Sequence, residues 1–131
     1  MVLNKIVVFC FFSFISSVSF ANDECSSIKS TDGVDSCYVQ MKNEAEKNLN
    51  DEYRALKGRV SDTYSTDKVM EKTYSEKLRS AQHNWLKYRD AQCSMEALFA
   101  EPGSSANASL VNKCMARIDA QRIEEMKALP Y

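Results

Sequence analysis

The sequence predicts an all-α fold, an antiparallel helical hairpin with a third helix packed along it, stapled by two disulfides. Apolar residues recur every three or four positions through most of residues 34–129, which is the period of a helix buried on one side. No run alternates with the period of two that a half-buried strand needs, and three glycines leave little room for a phosphate-cradling loop. Four of the five cysteines lie outside the N-terminal apolar segment, an even number that suits two bridges in a small exported domain.

That segment is set aside first. Lys5 is followed by an uncharged run over residues 6–20, and Ser19-Phe20-Ala21 places small residues where a signal peptidase inspects the chain. Residues 1–21 are therefore expected to be a signal peptide cleaved after Ala21, leaving residues 22–131 as one domain. The apolar run is short for a membrane span, and Asn22-Asp23-Glu24 before Cys25 does not resemble a lipoprotein box, so no membrane attachment is expected after cleavage. Cys10 and five of the six phenylalanines leave with the signal, and only Phe99 stays. The remaining 110 residues suffice for one modest core. They carry 16 Lys and Arg against 18 Asp and Glu, a formal charge of −2 that points to neither nucleic acid nor a membrane surface.

Three helices follow in order. Val34, Tyr38, Met41, Ala45, Leu49, Tyr53, Leu56 and Val60 line one face of the first, about residues 31–60, with Thr31-Asp32 available as a cap. Residues 61–66 read as a polar break. Thr66 or Asp67 then caps the second, about residues 67–100, whose stripe is Met70, Tyr74, Leu78, Ala81, Trp85, Tyr88, Gln92, Met95 and Phe99. Pro102, Gly103 and small polar residues break the pattern over residues 101–108. The third helix carries Val111, Met115, Ile118, Ile123, Met126 and Leu129, and stops at Pro130.

The mature cysteines are Cys25, Cys37, Cys93 and Cys114, spaced by 12, 56 and 21 residues without a Cys-x-x-Cys pair, and His83 is the sole imidazole. A metal site is not expected from that set, nor a reactive thiol. Cys93 and Cys114 fall at nearly equal height across an antiparallel turn, offset by roughly 4.5 Å. A short fold-back joins Cys25 to Cys37. These two local bridges are the favoured pairing, while Cys37 with Cys93 and Cys25 with Cys114 stays open.

Residues 82–93 hold the sole Trp and His, a Tyr-Arg-Asp triplet and a cysteine. Trp85 and Tyr88 continue the stripe of the second helix and read as core. Adjacent Arg89 and Asp90 point to different faces, so each is expected to pair with a group on the first or third helix. His83 reads as solvated, with no Ser or Cys partner to make a catalytic triad. Glu44, Glu46, Asp51 and Glu52 read as the wet face of the first helix. No carboxylate pair is singled out for glycoside hydrolysis, so no enzymatic activity or cofactor is expected.

Cys25 and Cys37, Leu49 with Tyr53, then Gln82, Trp85, Leu86, Tyr88, Arg89, Asp90 and Cys93, and finally Cys114 with Arg122 together resemble the LprI-like lysozyme inhibitor family of small secreted bacterial proteins. The resemblance spans about residues 25–129. It implies a periplasmic or secreted protein whose partner is a lysozyme or another peptidoglycan hydrolase, inhibited by blocking its glycosidase cleft. Residues 101–109 are the candidate inhibitory loop, in which Ser104, Ser105 and Asn107 donate hydrogen bonds and Gly103 permits close approach. The plainer reading of that loop is a connector pinned by Cys93 and Cys114. An immunity protein against a peptidoglycan-degrading toxin, or an envelope module that inhibits nothing, fits the same residues.

Overall fold

The structure, a computed structural model, describes residues 24–131; the expected signal peptide, residues 1–21 with Cys10, lies outside the described residues. A 3-10 turn at Glu24–Ser27 precedes α1 (Thr31–Thr63), α2 (Lys68–Glu96) and α3 (Ser105–Lys127), with a second 3-10 turn at Ala97–Phe99. No strand occurs among the described residues.

Each helix begins where a side chain relieves unpaired backbone donors. Ser30 Oγ accepts from Gly33 N at 3.3 Å, Asp67 from Met70 N at 3.0 Å and Ser104 Oγ from Asn107 N at 3.1 Å. The first cap is thus Ser30, one residue before the expected Thr31-Asp32. Helix α1 also runs through the expected polar break to Thr63, because Ser61 Oγ finds an acceptor in Glu71 Oε1 at 2.7 Å across the turn. The polar residues there face a partner, and residues 64–67 suffice for the reversal.

The three helices run up, down and up. Asp35 meets Ser109 near one end, and Arg59 donates to the Met126 carbonyl at 3.3 Å near the other, so α3 lies parallel to α1 and antiparallel to α2. The most extensive packing joins α1 to α3; α1 and α2 touch far less, so α3 is the central element rather than an addition to a closed hairpin. The reason lies in α2, whose inward face carries Gln82 and Arg89, groups that need partners which α3 supplies.

One core joins Leu49, Leu56 and Val60 of α1 to Leu78 of α2 and Met126 of α3, with Tyr53, Ile123 and Leu129 around it. Tyr64, Tyr74 and Tyr131 close its end, the last two edge to face at 4.5 Å. A smaller core surrounds Cys93, Cys114 and Ile118. Trp85 packs against both. Disulfides join Cys25 to Cys37 and Cys93 to Cys114, with Cα atoms 5.7 and 5.4 Å apart.

Candidate functional site

The distinctive residues of 82–93 converge on the α2–α3 seam. Trp85 is half-buried, and the guanidinium carbons of Arg89 and Arg122 lie 5.8 and 5.6 Å from its ring centroid. Such contacts favour a cation over the negative face of the indole. Arg122 Nε also donates to buried Gln82 at 3.1 Å. Replacing Trp85 with alanine is expected to cost about 2–3 kcal/mol in urea unfolding, below the range for a fully buried ring because part of the indole is already wet.

Arg89 is the centre of the polar seam. It is buried, donates to fully buried Asp119 at 2.9 and 3.3 Å, and approaches Glu46 of α1 at 3.6 Å. It also holds its neighbour Asp90 at 2.8 and 2.9 Å. Asp90 therefore pairs within its own helix, not with α1 or α3 as expected, because the long Arg89 side chain folds back over it. Glu46 leaves the expected wet face to join this cluster. Burial lowers the proton affinity of Arg89, but its bonds to Asp119 and Asp90 outweigh that and hold its pKa above the ordinary value. Burial pushes the Asp119 carboxyl up, and the Glu46 and Asp90 charges add to that against the pull of Arg89. Asp119 carried no periodic signal in the sequence.

The second-helix stripe is corrected on its outer members. Tyr88, Met95 and Phe99 are 58, 57 and 95 % exposed, and Met70 and Ala81 are exposed as well. The buried line is instead Leu78, Gln82, Arg89, Cys93 and Ala97, an equally regular helical row that includes polar residues. His83 and Glu44 are exposed, and Asp51 is half-buried with Lys47 and Arg54 paired to its carboxylate; Glu52, like Glu46, leaves the expected wet face, drawn in by Arg59 at 2.8 Å. Leu49 is core, Tyr53 lies beside it and Leu86 is half-buried.

The expected loop over residues 101–109 is shorter than its sequence suggests. Ser105 opens α3, so only a few residues between Phe99 and Ser105 are irregular. Ser104 caps that helix while donating to the Glu101 carbonyl at 2.7 Å, and Asn107 Nδ2 donates to the Ala97 carbonyl at 2.7 Å. These groups tie the corner together and are not free donors. Gly103 has φ +85°, the left-handed backbone that the turn requires, and a Cβ there would meet no other atom of the chain within 4 Å.

Two outward features remain on this seam. The corner carries Met95, Leu98 at 67 % exposure and Phe99, pinned by the Cys93–Cys114 bridge and the Asn107 clamp. Beside it, a groove of about 150 Å³ between α2 and α3 is lined by Trp85, Tyr88, Gln92, Glu96, Arg117 and Gln121, among others. Among the described residues no group of His, Cys, Asp and Glu is placed to hold a metal ion, and no helix is long and apolar enough to cross a membrane.

A rigid helical scaffold with an apolar corner and a shallow polar groove has the features of a small binding module. The chain belongs to the family described as "Lysozyme inhibitor LprI", whose model matches residues 21–126. It is 32 % identical over 112 residues to an uncharacterised protein of Rhizobium meliloti (strain 1021), covering 81 % of this chain and 78 % of that one. A solved structure of a DUF1311-family protein from Pseudomonas putida is similar with a TM-score of 0.67 and 26 % identity, over 80 % of this chain and 95 % of that one.

Proposed function

We propose that residues 1–21 direct export, that the mature chain acts in the periplasm or outside the cell, and that it binds a lysozyme and blocks its glycosidase cleft. Family membership supports the target class. The observation that carries the choice of surface is Phe99, 95 % exposed on a corner held by a disulfide and a side-chain clamp. A free aromatic ring on a rigid tip loses little conformational entropy on docking, and burying it contributes roughly 1.5–3 kcal/mol. Leu98 and Met95 extend the contact. The role of Ser104 and Asn107 becomes to hold the tip, not to enter the cleft.

The test is a lysozyme turbidity assay with several lysozyme types. Phe99→Ala is expected to weaken inhibition by about 10- to 100-fold while leaving the melting temperature unchanged, as for an interface anchor. Unaltered inhibition by this variant moves the contact elsewhere. Failure of the wild-type protein to inhibit any lysozyme at large molar excess removes the function itself.

A further inference from the structure

The groove beside the corner has a chemistry that the corner does not use. We propose that it is a saccharide-binding site that takes an N-acetylhexosamine unit of a β-linked glycan.

Three observations carry this. First, Tyr88 is a large aromatic side chain that the core leaves 58 % exposed, and it borders the groove together with half-buried Trp85, whose ring is flanked by Arg89 and Arg122. The exposed ring of Tyr88 suits the C–H face of a sugar and its hydroxyl adds a polar handle, while Trp85, with two guanidiniums over its ring, forms the wall beside it. Second, the groove holds a polar array already fixed before any ligand arrives. Glu96 accepts from Gln92 Nε2 at 2.9 Å and from Arg117 at 2.7 and 2.9 Å. These bonds, the Gln92 amide first and Arg117 second, hold the Glu96 carboxyl below the usual carboxylate range, so it stays an acceptor. Planar groups locked to one another keep lone pairs and N–H groups for adjacent hydroxyls at little cost in entropy. Third, the volume of about 150 Å³ suits a single sugar ring rather than a large ligand.

Other ligand classes fit less well. An anion meets one guanidinium already committed to Glu96, with the Glu125 carboxylate nearby. A metal ion lacks a set of ligands among the described residues. An apolar ligand meets a mostly polar lining. The carboxamides of Gln92 and Gln121, each with a carbonyl and an N–H₂ group, match the acetamido group's own donor and acceptor, which separates an N-acetylhexosamine from a plain hexose.

The proposal is independent of lysozyme inhibition, and the sole tryptophan reports on it directly. The disulfide-bonded protein is titrated with the β-1,4 trimer of N-acetylglucosamine while Trp85 emission and the side-chain amide NMR signals of Gln92 and Gln121 are followed. A saturable response that maltotriose does not reproduce is expected, weak enough to need about millimolar sugar. Tyr88→Ala and Gln121→Ala are each expected to weaken it at least about fivefold without loss of melting temperature, whereas Phe99→Ala leaves it intact. Retention on purified cell-wall sacculi, competed by the trimer, identifies the wall glycan as the source. Trimer binding without retention supports the same site with a free oligosaccharide as ligand. No response of either probe up to about 10 mM trimer, an equal response to maltotriose, or wild-type binding by Tyr88→Ala overturns the proposal.

Discussion

Replacing Arg89 with leucine is expected to destabilise the protein by about 3–5 kcal/mol at pH 7, the cost of leaving a buried charge without its partner. Asp119 is fully buried and Arg89 supplies its hydrogen bonds, so the variant must either hold an unpaired carboxylate in the core or load a proton onto it. The pH dependence separates this mechanism from lost packing. Asp119 already has a raised pKa, chiefly from burial, so the folded state binds that proton more tightly than the unfolded chain does. Its contribution is fully present below the unfolded carboxylate value and is lost as the pH rises through the folded one. Removing Arg89 raises the folded value further, so the penalty of Arg89→Leu should shrink markedly between pH 7 and pH 4. Urea unfolding at both pH values measures this, and an equal penalty at both would falsify the assignment. The double variant Arg89→Leu with Asp119→Leu is expected to recover much of the loss, because two apolar groups replace a costly ion pair.

Removing the Cys93–Cys114 bridge by a double alanine substitution is expected to cost about 3–4 kcal/mol. Closing a loop between positions 21 residues apart contributes about 3 kcal/mol in the chain-entropy account. Cys93 is also fully buried in the smaller core with Ile118, so truncation adds a packing loss. The bridge fixes the corner that presents Phe99, and inhibition should therefore fall even at temperatures where the variant stays folded. The Cys25–Cys37 bridge spans 12 residues and ties the N-terminal turn to α1, so its removal is expected to lower the melting temperature while sparing inhibition. If the two double variants lose inhibition equally at matched folded fractions, the corner is not the inhibitory surface.

The helix row on α2 shows how far periodicity carries and where it stops. Val60, Leu56, Leu49 and Tyr38 are buried where their spacing put them, which located α1 and most of its inward face, whereas Met41 of the same stripe is exposed. On α2 the same rule assigned Tyr88, Met95 and Phe99 to the core, because it counts apolar side chains and ignores polar ones. The buried row includes Gln82 and Arg89, whose burial is tolerable only because Arg122 and Asp119 arrive from α3 to satisfy them. Those partners lie 40 and 30 residues away in sequence, beyond any local pattern. The local partners of Ser104 and Asn107 escaped the sequence for a related reason. Ser104 and Asn107 read as exposed donors, but a serine at that spacing is also a helix cap, and the Ala97 carbonyl that engages Asn107 belongs to the preceding turn.

By itself the sequence determined the helical class, the places where each helix starts to within a few residues, most of the apolar face of α1 and the four cysteines that staple the chain, since these rest on local spacing and capping. The tertiary structure alone decided that α3 is the central helix, that Arg89 and Asp119 form a buried pair, and which aromatic rings stay outside. Those outcomes depend on which polar groups meet across the seam, and the cost of burying an unpaired charge, not the hydrophobic period, sets which way α2 faces.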